Sequence, residues 1–190
     1  KDKFHITSLV ESRVKGDKSF TDIALAPLAL GGLTDGVSTY EMAAAYSVFP
    51  RQGTYMKPRT YTLVLDSNRK TLLSNDSTQE TVLSQRTCYY ITSMLQRVVA
   101  AGTGTAADFS GQEIAGKTGT TSSRKDLWFV GYTPYYTAAV WTGYDTQERL
   151  STNLRNPSTV LWKQVMSKVH QGVPYQQFTQ LSDLVQVSYC

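Results

Sequence analysis

Gly111-Gln112-Glu113-Ile114-Ala115-Gly116-Lys117-Thr118-Gly119-Thr120-Thr121 satisfies two patterns at once. From Gly111 to Thr118 it fits G-x-x-x-x-G-K-[ST], a loop whose backbone N–H groups cradle phosphate. From Lys117 onward it reads K-T-G-T, a lysine followed by two hydroxyls at strand spacing. The first pattern belongs to nucleotide hydrolysis and the second to acyl transfer. The flanking residues decide between them.

A phosphate loop needs a buried strand running into it and a helix leaving it, with free N–H groups aimed at the ligand. Ahead of Gly111 stands Thr103-Gly104-Thr105-Ala106-Ala107-Asp108-Phe109-Ser110, which has no run of Val, Ile or Leu. After Thr118 come Gly119-Thr120-Thr121-Ser122-Ser123, residues that favour turns and extended chain over helix. The runs Leu127–Thr133 and Tyr136–Tyr144 are β-branched and aromatic and flank Pro134-Tyr135, which predicts an antiparallel hairpin. No acidic residue closes a buried strand to hold Mg²⁺. The context favours the strand reading, and a P-loop hydrolase ranks last among the functions weighed.

On a strand, Thr118 and Thr120 lie two residues apart and face the same way, so both hydroxyls can meet one carboxylate. Lys117 adds a fixed positive charge beside them. Gly119 has no side chain and lets substrate lie against the backbone. A backbone N–H of this strand can serve as an oxyanion donor.

Composition narrows the class. The 190 residues are 41% hydrophobic and 18% charged, enough for one domain with a core. The net charge of +4 is spread thinly, with no basic stripe and interleaved aromatics to suggest nucleic acid. Cys88 falls in a helical stretch and reads as a small core residue, Cys190 is terminal, and His5 and His170 are far apart. No structural zinc site and no cofactor is expected from this set. His170 reads as a surface or helix-end residue. No apolar stretch approaches the length of a membrane span.

Along the chain, residues 1–37 read as irregular, with Gly16-Asp17-Lys18-Ser19 as a polar loop. Ser38-Thr39-Tyr40-Glu41 is a capping box opening a helix that Pro50 halts. Tyr61–Leu65 and Thr71–Leu73 bracket a small hairpin. Ser84 caps a long helix to about Ala100, with Cys88, Ile91, Leu95, Val98 and Val99 at helical spacing and Gly102 as its stop. Pro157 and Ser158 open a last helix whose apolar face is read as Leu161, Val165, Met166 and Val169. The tail from Tyr175 is polar and reads as weakly structured. The predicted class is α+β, an antiparallel sheet packed between helices.

At these residues the chain resembles the transpeptidase domain of class A (bifunctional) penicillin-binding proteins, a β-lactamase/transpeptidase-like fold. Besides Lys117-Thr118-Gly119-Thr120, the matching segments are Leu28-Ala-Leu-Gly-Gly-Leu-Thr-Asp-Gly-Val37, Tyr40-Glu-Met-Ala-Ala-Ala-Tyr46, Gly102-Thr-Gly-Thr105, Asp126-Leu-Trp-Phe-Val-Gly-Tyr-Thr-Pro134 and Val140-Trp-Thr-Gly-Tyr144. They occur in family order over about residues 4–175, leaving 176–190 as a tail. The resemblance implies a DD-transpeptidase that attacks the D-Ala-D-Ala end of a peptidoglycan stem peptide with a serine and passes the acyl group to an amine. β-Lactams would trap that serine. Lys117 would set the positive potential, Thr118 and Thr120 would bind the carboxylate, Gly119 would be the spacer, and the Thr120 N–H would be one oxyanion donor.

The family nucleophile lies in S-x-x-K, followed by S-x-N, both ahead of K-T-G. Ser12-Arg13-Val14-Lys15 fits the first pattern but stands among charged residues beside a loop. Ser122-Ser123-Arg124-Lys125 and Ser151-Thr152-Asn153 come after Lys117. The expectation is that the chain is the C-terminal part of an incomplete domain. The serine, a membrane anchor and any glycosyltransferase domain would then lie on a missing N-terminal remainder, and the site would face the outside of the bacterial membrane. The alternatives are a DD-carboxypeptidase or serine β-lactamase-like hydrolase, and a non-catalytic peptidoglycan-binding module.

Overall fold

A computed structural model describes residues 1–151 and 155–185. Thr152 and Asn153 of the S-x-N match, and Cys190, lie outside the described residues. In chain order the elements are β1 (Arg13–Lys15), β2 (Lys18–Phe20), α1 (Leu25–Leu30), α2 (Thr39–Tyr46), β3 (Thr54–Met56), β4 (Leu63–Leu65), β5 (Thr71–Ser74), β6 (Gln79–Thr81), α3 (Gln85–Ala101), β7 (Ala115–Thr120), β8 (Leu127–Tyr132), β9 (Thr137–Thr142) and α4 (Pro157–Val169). A single 3₁₀ turn, Thr105–Ala107, joins α3 to the approach of β7. The fold is α+β, and helices pack on both faces of an antiparallel sheet.

That sheet has the order β7-β8-β9. Its register sets Lys117 opposite Val130, Gly119 opposite Trp128, and Phe129 opposite both Thr118 and Val140. Alternation splits β8 into two faces. Leu127, Phe129 and Gly131 turn toward α4, where Phe129 and Trp162 meet edge-to-face at 5.1 Å in a core completed by Val99, Ala107, Ile114 and Met166. Tyr132 turns the other way onto Ala115, Phe178, Tyr46, Phe49 and Leu95. Its hydroxyl is hydrogen-bonded to Thr92 at 2.9 Å, so the buried polar end is satisfied. Gly131 is required where it stands, because a Cβ there would lie 2.7 Å from Phe129 and 3.0 Å from Trp162.

Local chemistry explains the ends of the helices. The capping box of α2 forms as the sequence predicts. The Ser38 hydroxyl accepts the Glu41 N–H at 3.1 Å, and the Glu41 carboxylate accepts the Ser38 N–H at 3.1 Å. Ser84 caps α3 by accepting the Thr87 N–H at 3.1 Å. Asn156 caps α4 by accepting the Ser158 N–H at 3.0 Å, with Pro157 in the first turn. Gly102 does end α3, but in an extended conformation and not a left-handed one. The glycine is needed for space, since a Cβ would stand 2.9 Å from the Val98 Cα.

Four sequence expectations need correction. Residues 1–37 are not wholly irregular: β1 and β2 form a hairpin about Gly16, at φ +61°, and α1 follows. The apolar face of α4 is turned from the one predicted. Met166 is buried, but with Ser158, Thr159 and Trp162, whereas Leu161, Val165 and Val169 are half exposed. The bulkiest side chain sets the rotation: Trp162 fills the space between Phe129 and Phe109, and its Nε1–H donates to Ala138 O at 3.1 Å.

His170 does end α4, but it is buried rather than at the surface. Its Nδ1–H donates to Met166 O at 2.7 Å, which leaves Nε2 to accept from the Thr133 hydroxyl at 2.9 Å. Thr133 Oγ1 in turn accepts the N–H groups of Tyr135 and Tyr136 and so shapes the β8–β9 turn. The polar tail, too, differs from its weakly structured reading. It carries no helix or strand among the described residues, yet it is anchored. Phe178 is buried, its N–H donates to Glu113 Oε2 at 2.8 Å, and Gln112 Nε2 donates to Pro174 O at 2.8 Å.

Candidate active site

Strand β7 lies at the edge of its sheet, and no strand among the described residues pairs with its outer side. The ladder determines which backbone groups face outward. Just past the strand, the Thr121 N–H donates to Asp126 O at 3.2 Å, so this pair is one that exchanges hydrogen bonds. In an antiparallel ladder such pairs recur every second residue, which assigns Gly119 and Lys117 to the bonded set. The intervening Thr118 and Thr120 therefore turn their N–H and C=O groups to the open edge. The Lys117 ammonium confirms the direction, because Nζ donates to Thr118 O at 3.0 Å.

The predicted site residues thus gather on one short stretch of edge. Lys117 and Thr120 are exposed, and Thr118 and Gly119 are half-buried. A cation, two hydroxyls and an outward N–H share one strand, the donor set that an anionic substrate with a developing oxyanion needs. Gly119 has a structural reason of its own, since an added Cβ would lie 3.1 Å from the Trp128 Cβ directly across the ladder. Trp128 crowds that space, so a side chain at position 119 would have to push it aside by a few tenths of an ångström.

The strand ends in a tightly bonded turn. Thr121 Oγ1 accepts the N–H groups of Lys125 and Asp126, each at 3.0 Å, and Arg124 sits at φ +51°. Trp141 Nε1–H donates to Asp126 Oδ1 at 3.0 Å, and Arg124 Nε–H donates to Ser151 O at 2.9 Å. At its other end β7 starts from Ala115, buried under Tyr132 and Phe178. This edge is therefore fixed at both ends.

Lys117 and Thr118 lie inside a strand followed by two more strands, with no helix N-terminus at the glycine loop, so the phosphate reading fails. The serine matches also lack a catalytic setting. Ser12 is exposed ahead of β1, and Ser122 is exposed in the β7–β8 turn; neither opens a helix. Sequence reasoning gave no role to Thr103. It stands between Gly102 and Gly104 just past α3, and its hydroxyl meets Thr118 Oγ1 at 2.6 Å. The sequence signals it only as a threonine flanked by glycines at a helix end, inside the matching segment Gly102–Thr105. Among the described residues no group of His, Cys, Asp and Glu is arranged to hold a metal ion.

The family profile for the penicillin binding protein transpeptidase domain matches residues 6–160. The chain belongs to the penicillin-binding protein transpeptidase family. It is 39% identical over 163 residues to penicillin-binding protein 1A of Clostridium botulinum, covering 85% of this chain and 20% of that protein. Against penicillin-binding protein 1A of Clostridium acetobutylicum it is 43% identical over 144 residues, covering 75% of this chain and 18% of that one. The chain thus spans about a fifth of the length of the curated relatives it matches. Penicillin-binding protein PonA1 from Mycobacterium tuberculosis superposes with a TM-score of 0.73 at 25% identity, over 83% of this chain and 44% of that one. Penicillin-binding protein 1A from Haemophilus influenzae shares the fold, with a TM-score of 0.68 at 20% identity over 83% of this chain and 30% of that one. No described helix is long and apolar enough to cross a membrane.

Proposed function

We propose that this chain forms one wall of a serine-type D-Ala-D-Ala transpeptidase site. That site cross-links peptidoglycan stem peptides on the extracytoplasmic face of the bacterial membrane and is the target of β-lactams. The observation that carries the reading is the open edge of β7, where Lys117, Thr118 and Thr120 stand beside an outward N–H. Membership of the transpeptidase family supports it. Residues 1–175 act as the C-terminal part of the domain, and 176–190 form a tail.

In this mechanism the stem-peptide carboxylate is held by Thr118 and Thr120 beside the Lys117 charge. The scissile carbonyl then lies along the edge, and its oxygen, as it becomes an oxyanion, accepts the Thr120 N–H. The nucleophilic serine comes from outside this chain and supplies the second N–H of the oxyanion hole. The exposed, helix-free settings of Ser12 and Ser122 support that assignment.

A fluorescent penicillin tests the proposal. The full protein that carries this chain is expected to form a covalent adduct, and Lys117→Ala is expected to slow acylation by roughly a hundredfold, as loss of a positioned electrostatic group does. Mass mapping should place the adduct on a serine outside residues 1–190. Failure of the full protein to label would overturn the reading, and an adduct at Ser12 would overturn the assignment of the nucleophile.

A further inference from the structure

We infer that Thr103 is a positioning residue that points the Thr118 hydroxyl at the substrate carboxylate; the inference rests on the transpeptidase reading above. The two hydroxyl oxygens stand 2.6 Å apart, and either can be the donor in the free protein. Binding removes that freedom. A carboxylate only accepts hydrogen bonds, so Thr118 can hold one only by giving it its single hydrogen. The Thr103–Thr118 bond must then run from Thr103 as donor to Thr118 as acceptor. A hydroxyl that already accepts is a better donor, so the pair acts as a two-link chain ending on the substrate.

The backbone around Thr103 is built to hold it there. The N–H groups of Gly102 and Gly104 converge on one acceptor, Val98 O, at 3.1 and 3.0 Å. A side chain is excluded at Gly102 and crowded at Gly104. A Cβ on Gly102 would lie 2.9 Å from the Val98 Cα, and one on Gly104 would lie 3.2 Å from Val98 O and 3.4 Å from the Phe129 ring. The loop is thus pressed against the last turn of α3 and against the core residue that sits opposite Thr118 in the ladder. Thr103 itself remains exposed, with its hydroxyl beside that of Thr118. Two rigid supports, the end of α3 and the edge of β7, therefore bring these hydroxyls together from 15 positions apart in sequence.

The test compares benzylpenicillin with its methyl ester, which keeps the reactive ring and lacks the carboxylate, as acylating agents of the full protein. Thr103→Val keeps the branched shape and removes the donor. It is expected to lower the second-order acylation constant for benzylpenicillin by up to roughly tenfold, the upper end for one neutral hydrogen bond, and to leave the ester within about twofold. Thr103→Ser is expected to restore the acid-to-ester ratio of the parent. Equal rates for the valine variant and the parent would overturn the inference, and so would an equal loss for acid and ester, which would mark a purely structural role. A parent protein that neither compound acylates would instead overturn the transpeptidase reading, and the inference with it.

Discussion

The β7–β9 sheet and the first 37 residues are held together by opposite means. The sheet is fixed by apolar packing: Phe129, Tyr132 and Trp162 are fully buried and touch helices on both faces. In the N-terminal region Leu9 is buried, but the apolar run Ile23–Leu30 stays largely outside, with Leu25 at 90% and Leu30 at 86% exposure. Carboxylates organise it instead. Asp22 accepts the Val10 N–H at 2.8 Å, the Thr34 N–H at 2.8 Å and the Thr34 hydroxyl at 2.7 Å. Glu41 gathers the N–H and hydroxyl groups of Ser8 and Ser38. Apolar composition alone therefore does not say where a core forms. What matters is whether the apolar run is paired into a sheet whose faces other elements cover, as β8 is and residues 23–30 are not.

The sharpest way to break the contrast is Trp162→Ala. It removes the side chain that joins α4 to both Phe129 and Ala138 O, and it is expected to cost about 3–5 kcal/mol in urea unfolding. A loss under about 1 kcal/mol would mean that the sheet does not depend on that core. Asp22→Asn addresses the other region. Burial works against the Asp22 charge, but the Thr34 hydroxyl and the Val10 and Thr34 N–H groups outweigh it and hold its pKa below the ordinary carboxylate range. The variant is expected to lower hydrogen-exchange protection at Val10 and Thr34 while β8 amides stay as slow as in the parent. Uniform loss across the molecule would show that the two regions are one cooperative unit.

The smallest effect is a pH dependence. Burial alone would raise the Glu41 pKa, but the Ser38 and Ser8 N–H groups and then their hydroxyls bring it down to about 2 from an ordinary 4.5. A depressed carboxylate contributes stability that is complete above its unfolded pKa and lost as pH falls through the folded one. The stability difference between the parent and Glu41→Gln is therefore expected to be constant above about pH 5 and to shrink as pH falls from 4.5 toward 2. A difference that stays flat over that range would remove the carboxylate from the account.

Legibility in the sequence followed the same division. Ser38 with Glu41, and Ser84 ahead of a periodic run, announced α2 and α3 because capping is local chemistry. The β8–β9 hairpin showed itself through β-branched and aromatic runs on either side of a turn. The pairing of β3 with β6 could not be read, because it joins Thr54 to Thr81 through a fully exposed strand with no alternation. The face of α4 was misread because Leu161, Val165 and Val169 look apolar, while the packing of one tryptophan set the rotation. In the candidate site, Lys117, Thr118, Gly119 and Thr120 were legible as a contiguous motif. The outward direction of the Thr120 N–H depended on ladder register, and the Thr103 contact on a chain reversal, neither of which composition encodes.

The docking of the tail also bears on how the molecule assembles. The Glu113–Phe178 hydrogen bond closes a loop of 65 positions, whereas β7–β8 and β8–β9 close through short turns. Contacts so far apart in sequence carry the larger chain-closure entropy and form late. The hairpins and α3 can nucleate early, but the floor beneath Ala115 is sealed only when Phe178 arrives. By that criterion the packing beneath Ala115, at the root of β7, is expected to be completed after the β7–β8 and β8–β9 hairpins.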